Sequence, residues 1–420
     1  MELYTDMLLY IILISDVCVL SVVFFNKYTK KISPSALKTV FLIASFFLLF
    51  IYSAMRKDIG YDYLMYSQGF FRMGMSGFSE VGYNGWEWGF NILTKTIVFF
   101  TRDIHVYMAI ITAICLAGPF YAIYRYSKKV WLSVLLYINL YFFYCTMNFL
   151  RQSIAISITL FAYTFLINRK FVRYVLLIIF AAAFHSTALI MLPVYFLVNF
   201  KPSPRVPLLY AYLILWTFIS SNATLDLLTE YIGGEYRQSV FLTDGIAFVH
   251  IIIPTLIVGA GAFLLLKSIK LNNSININNN DSNSINNINN IPKEYKTVVM
   301  QTNLMYFSYF WLIVMLRHSV FERFSYYTYV FVILYIPEIL AFIDETYKKS
   351  ANKKFNILRK SGLSDGEKDV IIASYKKKRK VINFILIASV AVITISYNIN
   401  GLLTGGRGVH GVYPYASWLK

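Results

Sequence analysis

The sequence predicts an all-α polytopic integral membrane protein of about 12 transmembrane helices, with both termini outside. Three observations predict it. Of the 420 residues, 58% are hydrophobic and only 14% charged, where a soluble chain carries about 25% charged residues. Apolar runs recur near 7–25, 37–55, 104–124, 130–147, 150–167, 171–184, 186–200, 206–222, 245–266, 298–316, 323–343 and 381–398, many long enough to cross a hydrocarbon core ~30 Å thick. These runs lack strand alternation, and only helices and closed barrels satisfy a lipid-exposed backbone.

Charge then orients the spans. The loops 26–38, 125–130, 168–173, 201–205, 267–297 and 344–380 hold 4, 3, 3, 2, 4 and 12 of the 39 Lys and Arg. Basic loops stay in the cytoplasm, so the intervening loops and both termini lie outside. A net charge of +18 in a soluble protein would suggest nucleic acid. Here it sets topology, and the partner it implies is the bilayer. Cys18, Cys115 and Cys145 all fall inside apolar runs, which indicates neither a disulfide framework nor a metal site. The opening MELYTD has two acids and no base, a poor signal-peptide start, so the first run reads as a retained span.

Residues 88–100, WGFNILTKTIVFF, break the parity. Thirteen helical residues reach only about 20 Å, and a crossing there would put the RYSKK loop outside. The segment reads as a re-entrant or interfacial helix within an outer loop, 56–103; an ordinary short span is the alternative. Residues 271–291 are Asn/Ser-rich low-complexity sequence that cannot bury an apolar face and is expected to be disordered. The Lys-rich stretch 344–380 reads as a solvated cytoplasmic loop attracted to anionic lipid.

The remaining ionisable residues gather on the outer side. In the first outer loop Asp58 and Asp62 lie four apart, and Tyr63 and Tyr66 three apart, spacings that a helix would present along one face. Trp86 and Trp88 suit a membrane interface. Asp62 and Glu87 serve either as plain loop carboxylates or as functional ones. Arg151, with Gln152 beside it, opens a span from the outside. Such a cation either snorkels to headgroups or forks onto phosphate oxygens. His185, between two short apolar runs, is either a buried imidazole bonded to backbone or a proton acceptor facing an outer cavity. Arg317, His318, Glu322 and Arg323 form another outer junction, where arginine for phosphate is the preferred reading. Two residues, His318 and Glu322, do not make a metal site. Tyr413 and Tyr415 in the C-terminal tail stack on sugars or anchor at headgroups.

The successive pieces GYDYLMY, EWGFNIL, LRQSIAISI, FHSTALIMLP, RFSYY and VYPY resemble, in that order, the EpsG family of Wzy-type polysaccharide polymerases. The resemblance covers roughly residues 50 to 415. It implies an enzyme that joins repeat units of O-antigen, capsule or exopolysaccharide on the outer face of the bacterial inner membrane. Its substrates would be oligosaccharides on undecaprenyl pyrophosphate, as donor and acceptor. A chain-length regulator and a flippase would be partners, and no cofactor is implied. The Asn-rich insert is outside the pattern.

The residues suit that chemistry. A leaving pyrophosphate needs its charge neutralised, which Arg151, assisted by Arg317 and Arg323, would do without a metal. The acceptor hydroxyl needs a base: His185 first, with Asp62 or Glu87 as the carboxylate alternative. Gln152, Tyr63, Tyr66, Tyr413 and Tyr415 would orient sugars. An O-antigen ligase would carry a large late outer loop, which this chain lacks. A membrane O-acyltransferase would use its histidine from the cytoplasmic side. A lipid-linked oligosaccharide flippase would favour internal repeats, and none is evident.

Overall fold

The described residues from Ser33 to Leu403 form a succession of helices. The computed structural model describes Val17 and residues 33–77, 85–200, 205–220, 249–277, 293–316, 321–359 and 364–403. Those residues form helices and no strand: α1 (Pro34–Ala54), α2 (Tyr63–Met75), α3 (Trp88–Phe100), α4 (Ile104–Tyr126), α5 (Val130–Asn139), α6 (Phe142–Asn148), α7 (Leu150–Ile167) and α8 (Phe171–Ala182). A 3₁₀ turn (Ser186–Met191) follows, then α9 (Val194–Leu197), α10 (Arg205–Ile219), α11 (Val249–Ile277), α12 (Lys293–Val314), α13 (Glu322–Tyr329), α14 (Val332–Arg359) and α15 (Asp365–Leu403).

Among the described residues, α1, α4, α7 and the stretch Gly366–Leu402 of α15 are long and apolar enough to cross a membrane. The pairs α5–α6 and α13–α14, bent by 51° and 44°, raise the count to six if each is one span. The expected 12 is therefore not reached on length and composition. Several runs that read as spans are short helices, such as α8, or carry amides, such as Gln301 and Asn303 in α12. The run 7–25 and the C-terminal tail lie outside the described residues.

Helix ends follow local chemistry. Ser33 caps α1, its side chain accepting from the Ala36 N–H at 3.2 Å, and Pro34 follows at the first helical position, where its missing N–H costs nothing. Asp103 caps α4 through the His105 N–H at 2.8 Å. Inside α4, the Ser157 hydroxyl of α7 accepts from the Gly118 N–H and donates to the Ile114 carbonyl, both at 2.8 Å. That hydroxyl is inserted into the ladder one residue before Pro119, where the helix lacks a donor, and it locks α4 to α7.

The core centres on α5 and α6, whose residues are all buried except the half-buried Trp131. The break between them falls at Tyr141, in the left-handed region at φ 68°. A tyrosine seldom sits there; its hydroxyl donates to the Tyr397 carbonyl of α15 at 2.5 Å. Asn398 of α15 reaches Asn139 at 3.1 Å and Tyr144 at 3.2 Å. Buried polar groups are expected to be bonded in this way.

Three expectations need correction. The Lys-rich stretch 344–380 is largely two helical extensions, of α14 and α15, joined by an Arg379–Asp344 pair at 2.7 and 2.5 Å. Helix propagation from an established span needs no apolar face of its own. Helix α11 likewise continues to Ile277, into the Asn-rich stretch, whose residues 278–291 lie outside the described set. Finally, Asp58 and Asp62 do not share a helix face: α2 begins at Tyr63, and Asp58 occupies a turn at φ 55°.

Candidate active site

Two close backbone approaches build the site. Gly60 sits at φ +96°, and a Cβ there would lie 2.5 Å from the Met147 carbonyl oxygen. The chain entering α2 can therefore rest on α6, and the Asp62 N–H donates to Asn148 Oδ1 at 3.1 Å. Gly89 makes the second approach: its N–H, unpaired within the first turn of α3, donates to the Ala183 carbonyl at 2.9 Å. A Cβ there would come within 2.6 Å of that oxygen. This contact brings Glu87 beside His185, in the turn after α8.

Glu87 occupies the N-cap position of α3 but makes no side-chain cap bond. Its carboxylate goes elsewhere. Oε1 accepts from His185 Nδ1 at 2.8 Å and from the Ser186 N–H at 3.2 Å. Oε2 accepts from Arg151 Nη1 at 2.6 Å, and the same Nη1 donates to the Gly85 carbonyl at 2.7 Å. The Tyr66 hydroxyl lies within electrostatic reach of Arg151. Gln152 Nε2 donates to the Arg323 carbonyl at 2.5 Å, and the Arg323 guanidinium lies over the Phe149 ring, 5.3 Å from its centroid.

Charge states follow from these contacts. Burial pushes the Glu87 carboxyl up, but His185 and Arg151 outweigh it and hold it down at about 2. Glu87 is ionised. Burial pushes the His185 imidazole below its ordinary value, against the opposing pull of Glu87, so the ring is neutral at pH 7. A carboxylate only accepts, so the ring proton is assigned to Nδ1 and the lone pair to Nε2. Nε2 is buried and has no hydrogen-bond partner among the described residues; the same holds for Arg151 Nε. Burial pushes the half-buried Asp62 carboxyl up, with Arg323 and then Arg151 opposing, and the Tyr66 phenol up to about 12.

The segment carrying Glu87 is tied down from behind. Trp86 packs on Tyr66 and Phe90, with ring centroids 5.6 and 4.9 Å apart. Lys95 Nζ donates to the carbonyls of Met73, Ser76 and Gly77 at 2.8–3.0 Å, closing the C-terminal end of α2. Trp86 is thus 7% exposed, a core residue and not an interfacial one, whereas Trp88 is 65% exposed.

The family model for EpsG matches residues 39–358. The chain belongs to the EpsG family, a family of Wzy-like polysaccharide polymerases. Every site residue from Asp62 to Arg323 lies inside the matched stretch. A comparison with curated proteins and one with solved structures return no match.

Among the residues singled out in this EpsG-family sequence, the structure brings His185, Glu87 and Arg151 into direct contact, sets Tyr66 within electrostatic reach of Arg151, and joins Gln152 to the backbone of Arg323. Asp62 lies within electrostatic reach of both arginines. Tyr63 and Tyr66 are 6% and 2% exposed; Tyr63 accepts from the Asp58 backbone, so neither ring offers a sugar an open face. Glu322 accepts from Tyr326 at 2.8 Å. Arg317, His318, Tyr413 and Tyr415 lie outside the described residues. Sequence reasoning missed Asn148 and the Ser186 N–H. Asn148 stands two residues before the polar LRQ of α7, a signal that was available; a backbone N–H carries none.

Proposed function

We propose that this EpsG-family protein polymerises oligosaccharide repeat units carried on undecaprenyl pyrophosphate, at the outer face of the bacterial inner membrane. The sidedness rests on the basic loops, which place the Glu87–His185 cluster opposite them in a bundle of about 12 spans with both termini outside.

The observation that carries the reading is the pair of unsatisfied buried atoms on one carboxylate-linked unit: His185 Nε2, an acceptor, and Arg151 Nε–H, a donor. Leaving such a group unpaired costs about 1–3 kcal/mol, and a substrate offering a hydroxyl and an anionic oxygen would satisfy both. In the reaction, an acceptor-sugar hydroxyl gives its proton to His185 Nε2 as its oxygen bonds the anomeric carbon of the donor. The bond from that carbon to the pyrophosphate oxygen breaks, and the electron pair leaves with the pyrophosphate. Arg151 and Arg323 neutralise the departing charge, which counts for more in a water-poor site than in solution. Glu87 fixes the Nδ1–H tautomer, orients the ring and stabilises the imidazolium that forms. Because both atoms are closed off from solvent, the α2–α3 segment must move to admit the glycan, acting as an entry wall or lid.

The test is complementation of a deletion strain with wild type, Arg151→Ala or His185→Ala at matched membrane expression. Single capped repeat units without a ladder, in both variants, support the reading. Repeat units trapped on the cytoplasmic leaflet in the deletion strain would show transport instead, and full ladders from both variants would refute this site.

A further inference from the structure

Asp62 stands at the N-cap of α2, where an aspartate ordinarily folds its carboxylate onto the first N–H groups of the helix. Here it makes no such bond, although that cap contributes about 1 kcal/mol. Its backbone N–H is satisfied by Asn148 instead. The carboxylate is half-buried, within electrostatic reach of Arg151 and Arg323, yet forms no ion pair with either among the described residues. It is a carboxyl group held at the edge of the site with no hydrogen-bond donor to it among the described residues. Beside it in the chain Tyr61 is 56% exposed, while Tyr63 and Tyr66 are buried. The His185 ring feels the same two arginines; its Nε2 has no partner among the described residues, and the residue is 3% exposed.

The charges around Asp62 restrict what it can take. Two guanidinium groups in reach disfavour a metal ion or an ammonium group, and the carboxylate itself disfavours an anion. A neutral ligand with paired O–H donors is what remains, and a carboxylate accepts two parallel hydrogen bonds from neighbouring hydroxyls. An adjoining exposed aromatic ring suits the apolar face of a sugar.

We infer that Asp62 is the ligand of the acceptor sugar: its carboxylate accepts hydrogen bonds from two neighbouring hydroxyls of the incoming repeat unit, with the Tyr61 ring covering the sugar face. It thereby holds the attacking hydroxyl toward His185 Nε2, and is a positioning residue for the transfer. This inference rests on the polymerase reading and adds to it a division of labour: Asp62 and Tyr61 hold glycan, and Arg151 holds pyrophosphate.

The experiment uses the purified full-length protein in detergent and two probes, each carrying one half of the substrate. The first is the lipid-free repeat-unit oligosaccharide, released from its carrier by mild acid; the second is inorganic pyrophosphate. Affinities are measured for wild type, Asp62→Asn, Asp62→Ala and Arg151→Gln, with Tm recorded for each. Asp62→Ala should bind the oligosaccharide about 10- to 100-fold more weakly while keeping its pyrophosphate affinity, and Asp62→Asn, which retains one carbonyl acceptor, should fall between. Arg151→Gln should show the reverse pattern. Unchanged oligosaccharide affinity in both Asp62 variants overturns the inference and leaves the polymerase reading standing. Equal loss of both probes in Asp62→Asn, the mark of structural damage, overturns it too. A wild type that binds no oligosaccharide at all overturns the polymerase reading along with it.

Discussion

The Glu87 carboxylate joins two residues from different helical segments, accepting from His185 Nδ1 at 2.8 Å through one oxygen and from Arg151 Nη1 at 2.6 Å through the other. The proposed base and the proposed anion ligand are thus oriented by one group, and a change at Glu87 should be felt at both.

Glu87→Gln keeps the shape and removes the charge. The imidazole then loses the partner that fixes its tautomer and steadies its protonated form, so the initial rate of polymerisation should fall about 10²- to 10⁴-fold. Glu87→Ala should in addition lower Tm, since it leaves Arg151 partly buried without its carboxylate; removing one partner of a fully buried pair costs about 3–5 kcal/mol, and the partial exposure here puts the loss below that. Rates in membranes and melting curves of the purified variants check both outcomes.

The pH dependence has a definite sign. A base must be unprotonated, and burial holds the folded-state value of His185 below the ordinary 6.5, so the acid limb of the rate profile should lie below pH 6.5. Stability moves the same way. The neutral His185 contributes fully above pH 6.5 and its contribution is lost as pH falls through its lowered value. Glu87, held at about 2 against an ordinary 4.5, contributes fully above 4.5 and loses that contribution as pH falls toward 2. Tm should therefore decline on acidification. Glu87→Gln should flatten the part of the decline below pH 4.5.

Gly89→Ala tests how the site is assembled. The added methyl meets the Ala183 oxygen at 2.6 Å, so α3 must withdraw from the His185 turn. A displacement of about 1 Å is enough to cost on the order of 10²-fold in rate. The ladder should collapse toward single repeat units while Tm falls only modestly, both readable from one membrane preparation.

Lys95→Met removes the ammonium that holds three carbonyls at the end of α2. Losing those bonds should cost about 1 kcal/mol and speed amide hydrogen exchange around Ser76 and Gly77. Unchanged exchange there would mean that Lys95 does not brace the segment.

How much of this the sequence carried depends on the range of the interaction. The all-helical membrane class and the helix at 88–100 follow from composition and apolar runs, which are local properties. The residue types at the site were legible as well: His185, Arg151, Glu87 and Asp62 stand out as polar groups at the ends of apolar runs. Their arrangement was not. Glu87 and His185 are nearly a hundred positions apart, and what joins them is the Gly89–Ala183 backbone contact, for which a glycine in the sequence is only a permission. Trp86 misled because an aromatic at a loop edge suits an interface as well as a core; the Tyr66–Phe90 packing decides it. The Lys-rich extensions of α14 and α15 misled because helix was sought through apolar periodicity, while these are carried on from apolar spans and pinned by Arg379–Asp344.

The most direct test of the central claim is a double-mutant cycle on Glu87 and His185, read as the initial rate of ladder formation from lipid-linked repeat units in membranes. If Glu87 acts largely through the imidazole, His185→Ala should cost at least as much as Glu87→Gln, and the double variant should lose far less than the product of the two single losses, the remainder reporting the Glu87–Arg151 bond. Losses that multiply would show that the two residues act independently, and a full ladder from His185→Ala would contradict the account outright.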